Sequence, residues 1–367
     1  MSWLVVVSHV VELFFVEPEP DEKPGVPSTF TRMVPKARSQ RETASEQAAR
    51  SEPARGRSGT SSRVTYEPQE GDRFGEYELV RRLNRGVGTR VFSARPSVGR
   101  EVVLRIASLR GDHVARLRRE ASVADLEPDP TRVRVLGAAD DGHHFYVVRE
   151  RIHGVSLDVV LGALHARREV LAPELVFLLA RRVAEGLRRL HRSNERSGFV
   201  HADVDPSNVL VSSFGYVKIN DFTSCMRLDE AARSTSLPLP RRPEWHGPER
   251  RTDRPLDTRV DVFSFGVLTA CLATGGDPSV HAFDIDALQD LATRAIPALG
   301  PTLRECLAPY ARRADDIEPV AARMRRDFPS RFLEVTESQL VDTLRQRGRG
   351  ASGLRPRSWD LPRRSDT

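Results

Sequence analysis

Between Val200 and Thr223 the chain reads Val-His-Ala-Asp-Val-Asp-Pro-Ser-Asn-Val-Leu-Val, a short turn over Ser212 to Gly215, then Tyr-Val-Lys-Ile-Asn-Asp-Phe-Thr. Two β-branched runs around a Ser/Gly turn predict a hairpin. A hairpin closes its two ends on each other, so loop residues Asp203, Asn208 and Asp221 are expected to converge. Carboxylate and amide oxygens suit Mg²⁺, which is held by one or two carboxylates while waters and substrate phosphates complete its octahedron.

This order resembles the catalytic loop and Asp-Phe-Gly segment of protein kinases. The resemblance puts Asp203 at the catalytic-base position, and Asn208 and Asp221 at the metal-ligand positions. It implies an α+β, two-lobed fold: a small five-stranded antiparallel lobe with one helix, and a larger, mainly helical lobe. ATP and Mg²⁺ are the cofactors it implies. Substitutions accompany the match. Ala202 stands where the family has Arg, Asp205 where a Lys usually lies, and Thr223 where the last Gly belongs.

The nucleotide-facing segments show the same mixture. Leu83 to Phe92 resembles the glycine-rich loop, whose backbone N–H groups approach phosphate only where no Cβ intervenes. Gly86 matches its middle glycine and Val91 the valine over the base. Gly88 is one residue out of register, and Asn84 and Thr89 replace the outer glycines. Taken alone, the segment reads equally as a plain hairpin. Val102-Val103-Leu104-Arg105 resembles the strand whose lysine holds the phosphates, and Glu120 sits where that lysine's partner is expected. Arginine keeps the charge, but its planar fork prefers a carboxylate. Arg105 is therefore expected to bind Glu120 well and phosphate poorly. Lys218 is the only lysine of the domain, so no displaced lysine can replace it. Val103 narrows the adenine pocket, and Glu150 and Leu210 complete the implied nucleotide contacts. Arg149 falls at the back of that pocket, where a buried guanidinium needs a carboxylate, with Glu120 and Asp221 the candidates. The alternative is an Arg149 that snorkels to solvent.

On the acceptor side, Arg241 to Glu249 resembles the segment ending in Ala-Pro-Glu, with Arg242 in place of a Thr. An Asp205–Arg242 salt bridge is expected there, obstructing the acceptor hydroxyl. Architectural positions are kept: Glu249 with Arg331 as its expected partner, Asp261 as the helix acid that holds the catalytic-loop backbone, and His201 and Phe222 in packing roles. Ser234, Thr235 and Ser236 lie in the loop that kinases phosphorylate. With Ala202 in place of the receiving arginine, control by that route is not expected.

Strands are expected over Tyr77 to Leu83, Arg90 to Ala94, Glu101 to Ala107, Val133 to Ala138 and His144 to Arg149, with one helix, Asp112 to Leu126, among them. Leu175, Leu179, Val183, Leu187 and Leu190 recur at helical spacing, giving an amphipathic helix over Pro173 to Arg192; Asp261 to Ala273 reads as a buried helix. The domain therefore divides as residues 73–345, with a small lobe over 73–150 and a large lobe over 154–345. Residues 1–16 form an apolar segment too short to span a bilayer and without a basic leader. Residues 17–72 have the Pro, Glu, Ser and Arg content of a linker, and 346–367 form a basic tail that could dock an acidic partner.

A net charge of +6, carried almost wholly by arginine, is modest for a chain of 367 residues and gives no support for nucleic-acid binding. Cys225, Cys271 and Cys306 lack metal-ligand spacing and point to buried thiols in a reducing cytoplasm. Two functions follow. One is a kinase-shaped regulatory module acting on a protein partner, with phosphoryl transfer weak or lost. The other is an active serine/threonine kinase with Asp203 as base and Asn208 and Asp221 on Mg²⁺.

Overall fold

In the computed structural model the described residues are 67–84, 88–111, 113–193, 198–234, 242–252, 255–276 and 284–328. Period-two alternation builds the first half of the domain. Strands β1 (Arg73–Phe74), β2 (Tyr77–Arg82), β3 (Thr89–Pro96), β4 (Val102–Ser108), β5 (Val135–Asp140) and β6 (His144–Glu150) form one antiparallel sheet in the order β1-β2-β3-β4-β6-β5. The five expected strands are present, and a two-residue strand extends the sheet. The residues before it, read as linker, are part of the sheet edge: Gly71 N–H donates to Leu79 O and Leu79 N–H to Asp72 O, both at 2.8 Å.

The two faces of β6 go to different cores. Tyr146 and Val148 join Phe74, Leu79, Phe92, Leu104 and Ile106 under the curl of the sheet. Phe145 and Val147 face the other way, with Leu117 of helix α1 (His113–Ala121), and merge with the core of the large lobe. Cross-strand register pairs Val103 with Arg149 and Arg105 with Val147, so both arginines share the face covered by α1. That helix is shorter than expected. Ser122 Oγ donates to Arg119 O at 2.6 Å, and Val123 N–H and Ala124 N–H reach back only three residues, so the chain leaves the helix in turns.

After Glu150 a short strand β7 (Gly154–Ser156) leads into α2 (Leu157–Arg167) and α3 (Pro173–His191). The Leu175 to Leu190 stripe of α3 is fully buried, as its spacing requires. The predicted hairpin follows β8 (Phe199–Val200): β9 (Val209–Ser212) pairs with β10 (Val217–Ile219), and β7 lies on the outer side of β9. Gly154 allows that approach, since a Cβ there would lie 2.1 Å from Val211 O. Strand β11 (Met226–Arg227) pairs with β8 ahead of the single-turn α4 (Leu228–Ala231). Helix α5 (Arg259–Thr274) is buried all round from Val260 to Ala273 and ends on left-handed Gly275. Helices α6 (Ile285–Ala295), α7 (Gly300–Cys306) and α8 (Glu318–Asp327) complete the large lobe. The three cysteines are free and buried. Among the described residues no helix is long and apolar enough to cross a membrane.

Candidate active site

The β9–β10 hairpin carries its two flanking loops to one place. Asp203, Asp205, Ser207, Asn208, Asp221 and Thr223 all line one cleft of about 110 Å³, with Arg105, Arg242 and residues of α1 on its other walls. Asp261, at the start of α5, fixes the first loop. Its carboxylate accepts from His201 N–H at 2.7 Å and from Ala202 N–H at 2.8 Å, holding Ala202 at a left-handed φ of 60°. Asn208 Nδ2 donates to Asp203 O at 2.8 Å, so the loop is also tied to itself. His201 and Phe222 pack edge to face, with centroids 5.5 Å apart.

Asp203 meets a neighbour that sequence reasoning missed. Its Oδ1 lies 3.2 Å from His246 Nε2, a close contact without hydrogen-bond alignment, while His246 Nδ1 is 3.1 Å from Ser264 Oγ. No local pattern marks His246, because its role depends on how the segment before α5 folds back.

Four charged side chains meet on the α1 face of the sheet. Arg105 Nη1 donates to Asp221 Oδ1 at 2.7 Å and lies 3.1 Å from Glu120 Oε2. Arg149 Nη1 donates to Glu120 Oε1 at 3.2 Å and to Asn220 Oδ1 at 2.8 Å. Arg149 is thus buried and paired, with Glu120 as its acid; the neutralisation of Asp221 falls to Arg105 instead. Register explains the exchange, since Arg105 lies on β4 beside the cleft mouth and Arg149 one strand deeper. Asp221 adopts a left-handed conformation, and its Oδ1 also accepts from Thr223 Oγ1 at 2.7 Å. Burial acts to raise the Asp221 carboxyl, but Arg105, then Thr223 and Arg149, hold it well below the usual carboxylate range.

On the acceptor side Asp205 turns inward, its Oδ1 accepting from Ser207 N–H at 2.6 Å and Ser207 Oγ at 2.5 Å. Arg242 comes within 3.8 Å of it but donates its direct hydrogen bond to Asp158 of α2, at 2.9 Å, and stacks 5.0 Å from the Trp245 ring. The expected Asp205–Arg242 pair is therefore a long one, and Asp158 is the main partner. Burial raises the Asp205 carboxyl, helped by the like charge of Asp203 and opposed by Arg242.

The nucleotide side is less completely described. Gly86 lies outside the described residues. Gly88 has φ 93°, a conformation natural to glycine, and sits against the His113 ring. Asn84 staples the base of the loop, its Nδ2 donating to Thr89 O at 2.9 Å and its Oδ1 accepting from Val91 N–H at 2.8 Å. Val103 is buried, and Leu210 is half-buried on β9 opposite Lys218. Lys218 Nζ donates to Glu150 Oε1 at 2.6 Å and so is anchored away from Asp221.

A protein kinase domain model matches residues 77–310, well over half of the chain. The chain belongs to the protein kinase family. Serine/threonine-protein kinase PknL of Mycobacterium tuberculosis strain CDC 1551 is 32% identical over 234 residues, covering 62% of this chain and 54% of PknL. Pkn2, a serine/threonine-protein kinase of Myxococcus xanthus, is 27% identical over 215 residues, covering 56% of this chain and 25% of that protein. The chain thus spans about half the length of PknL. Among solved structures, the Mycobacterium tuberculosis PknI kinase domain matches with a TM-score of 0.52 and 21% identity, over 71% of this chain and 99% of that one. The family model and the fold agree on a protein kinase domain, and the relatives it resembles are serine/threonine-protein kinases.

Glu249 is paired with Arg313; its expected partner, Arg331, lies outside the described residues. Arg313 Nη1 bonds Glu249 Oε1 and donates to Arg259 O at 3.0 Å, and its Nε donates to Ala308 O at 3.1 Å. A usable signal was present: Leu307-Ala308-Pro309 ends a helical stretch just before Arg312 and Arg313. Thr235 and Ser236, in the loop between Asp221 and Glu249, also lie outside the described residues; Ser234 lies within them.

The kinase fold implies ATP and Mg²⁺, and the residues do not fit a magnesium triphosphate in this arrangement. The Asp221 oxygen that Arg105 holds also carries the Thr223 hydroxyl, and Arg105 is divided between two carboxylates with its Nε buried and unpartnered. No phosphate-binding cation remains at that position.

Proposed function

We propose that this kinase domain is a pseudokinase or a very weak kinase that works as a regulatory and binding module, with nucleotide binding weak or lost. One observation carries the reading: the cation that would face the phosphates and the carboxylate that would face the metal are bonded to each other, at 2.7 Å between Arg105 Nη1 and Asp221 Oδ1. Phosphoryl transfer relies on positioning and on fixed charges stabilising the transferring group, so spending both charges internally removes most of the catalytic power. On this reading a protein partner docks on the domain surface, the basic tail engages an acidic partner, and the protein works in the cytoplasm. The domain is bounded at 73–345 apart from the sheet-edge residues already described, with segments 1–16, 17–72 and 346–367 outside it.

The second reading is an active serine/threonine kinase, favoured by the convergence of Asp203, Asn208 and Asp221 on one cleft. Arg105→Lys separates the two. A lysine there is a compact point charge that can leave Asp221 for phosphate. We expect wild type to show little or no Mg-ATP-dependent rise in melting temperature and little or no phosphate transfer, and Arg105→Lys to gain a measurably larger rise. Transfer by wild type that disappears in Asp203→Ala would refute the pseudokinase reading.

A further inference from the structure

Charge balance sets the buried face between α1 and the sheet apart. Glu120 is fully buried, and Arg105 and Arg149 are each about nine-tenths buried beside it. Asp221 is the most open of the four, a quarter exposed toward the cleft. With Arg105 alone, this face would hold one guanidinium against two carboxylates, Glu120 and Asp221, and carry a net negative charge. Arg149 supplies the missing charge. Two guanidiniums meet two carboxylates, and a buried charge left uncompensated is costly.

We propose that Arg149 is a built-in replacement for a cofactor cation, which completes the charge of this buried face behind the cleft and holds α1 in place with neither metal nor nucleotide bound. This rests on the pseudokinase reading above and adds how its shape is maintained. Glu120 bridges the arginines of β4 and β6. Arg149 continues the link to Asn220, the residue before Asp221, at 2.8 Å. A third tether runs from the same helix, where Arg119 Nε donates to Thr223 O at 3.1 Å. Helix α1 is thereby tied to two strands and to the 220–223 segment by the protein's own side chains. Both arginines remain charged, because guanidinium does not release its proton in proteins.

Melting curves with millimolar MgCl₂, set against NaCl at matched ionic strength and without nucleotide, test this. Wild type should show no specific shift. Arg149→Met uncovers one carboxylate charge and should rise by about 2 °C with Mg²⁺, whereas Arg149→Lys, which keeps the charge, should not. Arg105→Met uncovers a charge beside Asp221 and should also rise, which decides the matter if Arg149→Met does not fold. A wild-type shift as large as that of the variants, or folded methionine variants that ignore Mg²⁺, overturns the proposal. Metal alone is the probe, so these melts judge Arg149, while the phosphate-transfer assay judges the pseudokinase reading.

Discussion

Removing Arg313 should be among the most damaging single changes in the large lobe. Its side chain is 1% exposed and that of Glu249 6%. Besides the carboxylate, the guanidinium satisfies Arg259 O and Ala308 O and lies 4.5 Å from the Phe263 ring centroid. Arg313→Ala therefore leaves a buried carboxylate without its cation, for which the cost is about 3–5 kcal/mol. For a domain of this size each kcal/mol moves the melting temperature by about 2–4 °C, so the fall should be near ~10 °C. Urea denaturation of Arg313→Ala, Glu249→Gln and the double variant measures the coupling. Because the main penalty is the stranded charge, the double variant should be far less destabilised than the sum of the singles. Strictly additive losses would refute the assignment of this pair.

Stability should also depend on pH through His191, whose Nε2 lies 3.0 Å from Asp261 Oδ2 and whose Nδ1 lies 3.8 Å from Asp316. Burial lowers the His191 pKa, but the two carboxylates outweigh it and raise it above its ordinary 6.5. A raised histidine contributes fully below the unfolded value and loses that contribution as pH rises through the folded value; the depressed carboxyls of Asp261 and Asp316 act oppositely and lose theirs in acid. Urea midpoints should therefore fall as pH rises above the ordinary histidine value of 6.5 in wild type and much less in His191→Gln; equal falls would remove His191 as the cause. At the acceptor side, double-mutant cycles should give a larger coupling for Arg242 with Asp158 than with Asp205, following the 2.9 Å and 3.8 Å separations, and the reverse order would count against the geometry.

Local chemistry along the chain makes much of this fold legible. Helical spacing placed α3 and α5 within two residues of their ends, and β-branched runs around a Ser/Gly turn placed the β9–β10 hairpin that gathers Asp203, Asn208 and Asp221. The end of α1 was misplaced because a side-chain hydrogen bond from Ser122 competes with the helix, a choice that hydrophobic periodicity does not encode. Arg105, Arg149 and Arg242 were recognisable as cations out of place, and each does meet an acid. Which acid was another matter.

By itself, the order of residues determined the strands, the helices and the set of charges brought to the cleft, because these follow from short-range periodicity and turn geometry. The pairing within that set was decided only by tertiary structure. Arg105 reaches Asp221 across 116 residues, Arg149 reaches Glu120 across 29 and Arg313 reaches Glu249 across 64. A guanidinium is long and flexible and can satisfy any carboxylate within reach, so its partner is set by strand register and helix position, which exist only once the chain has folded.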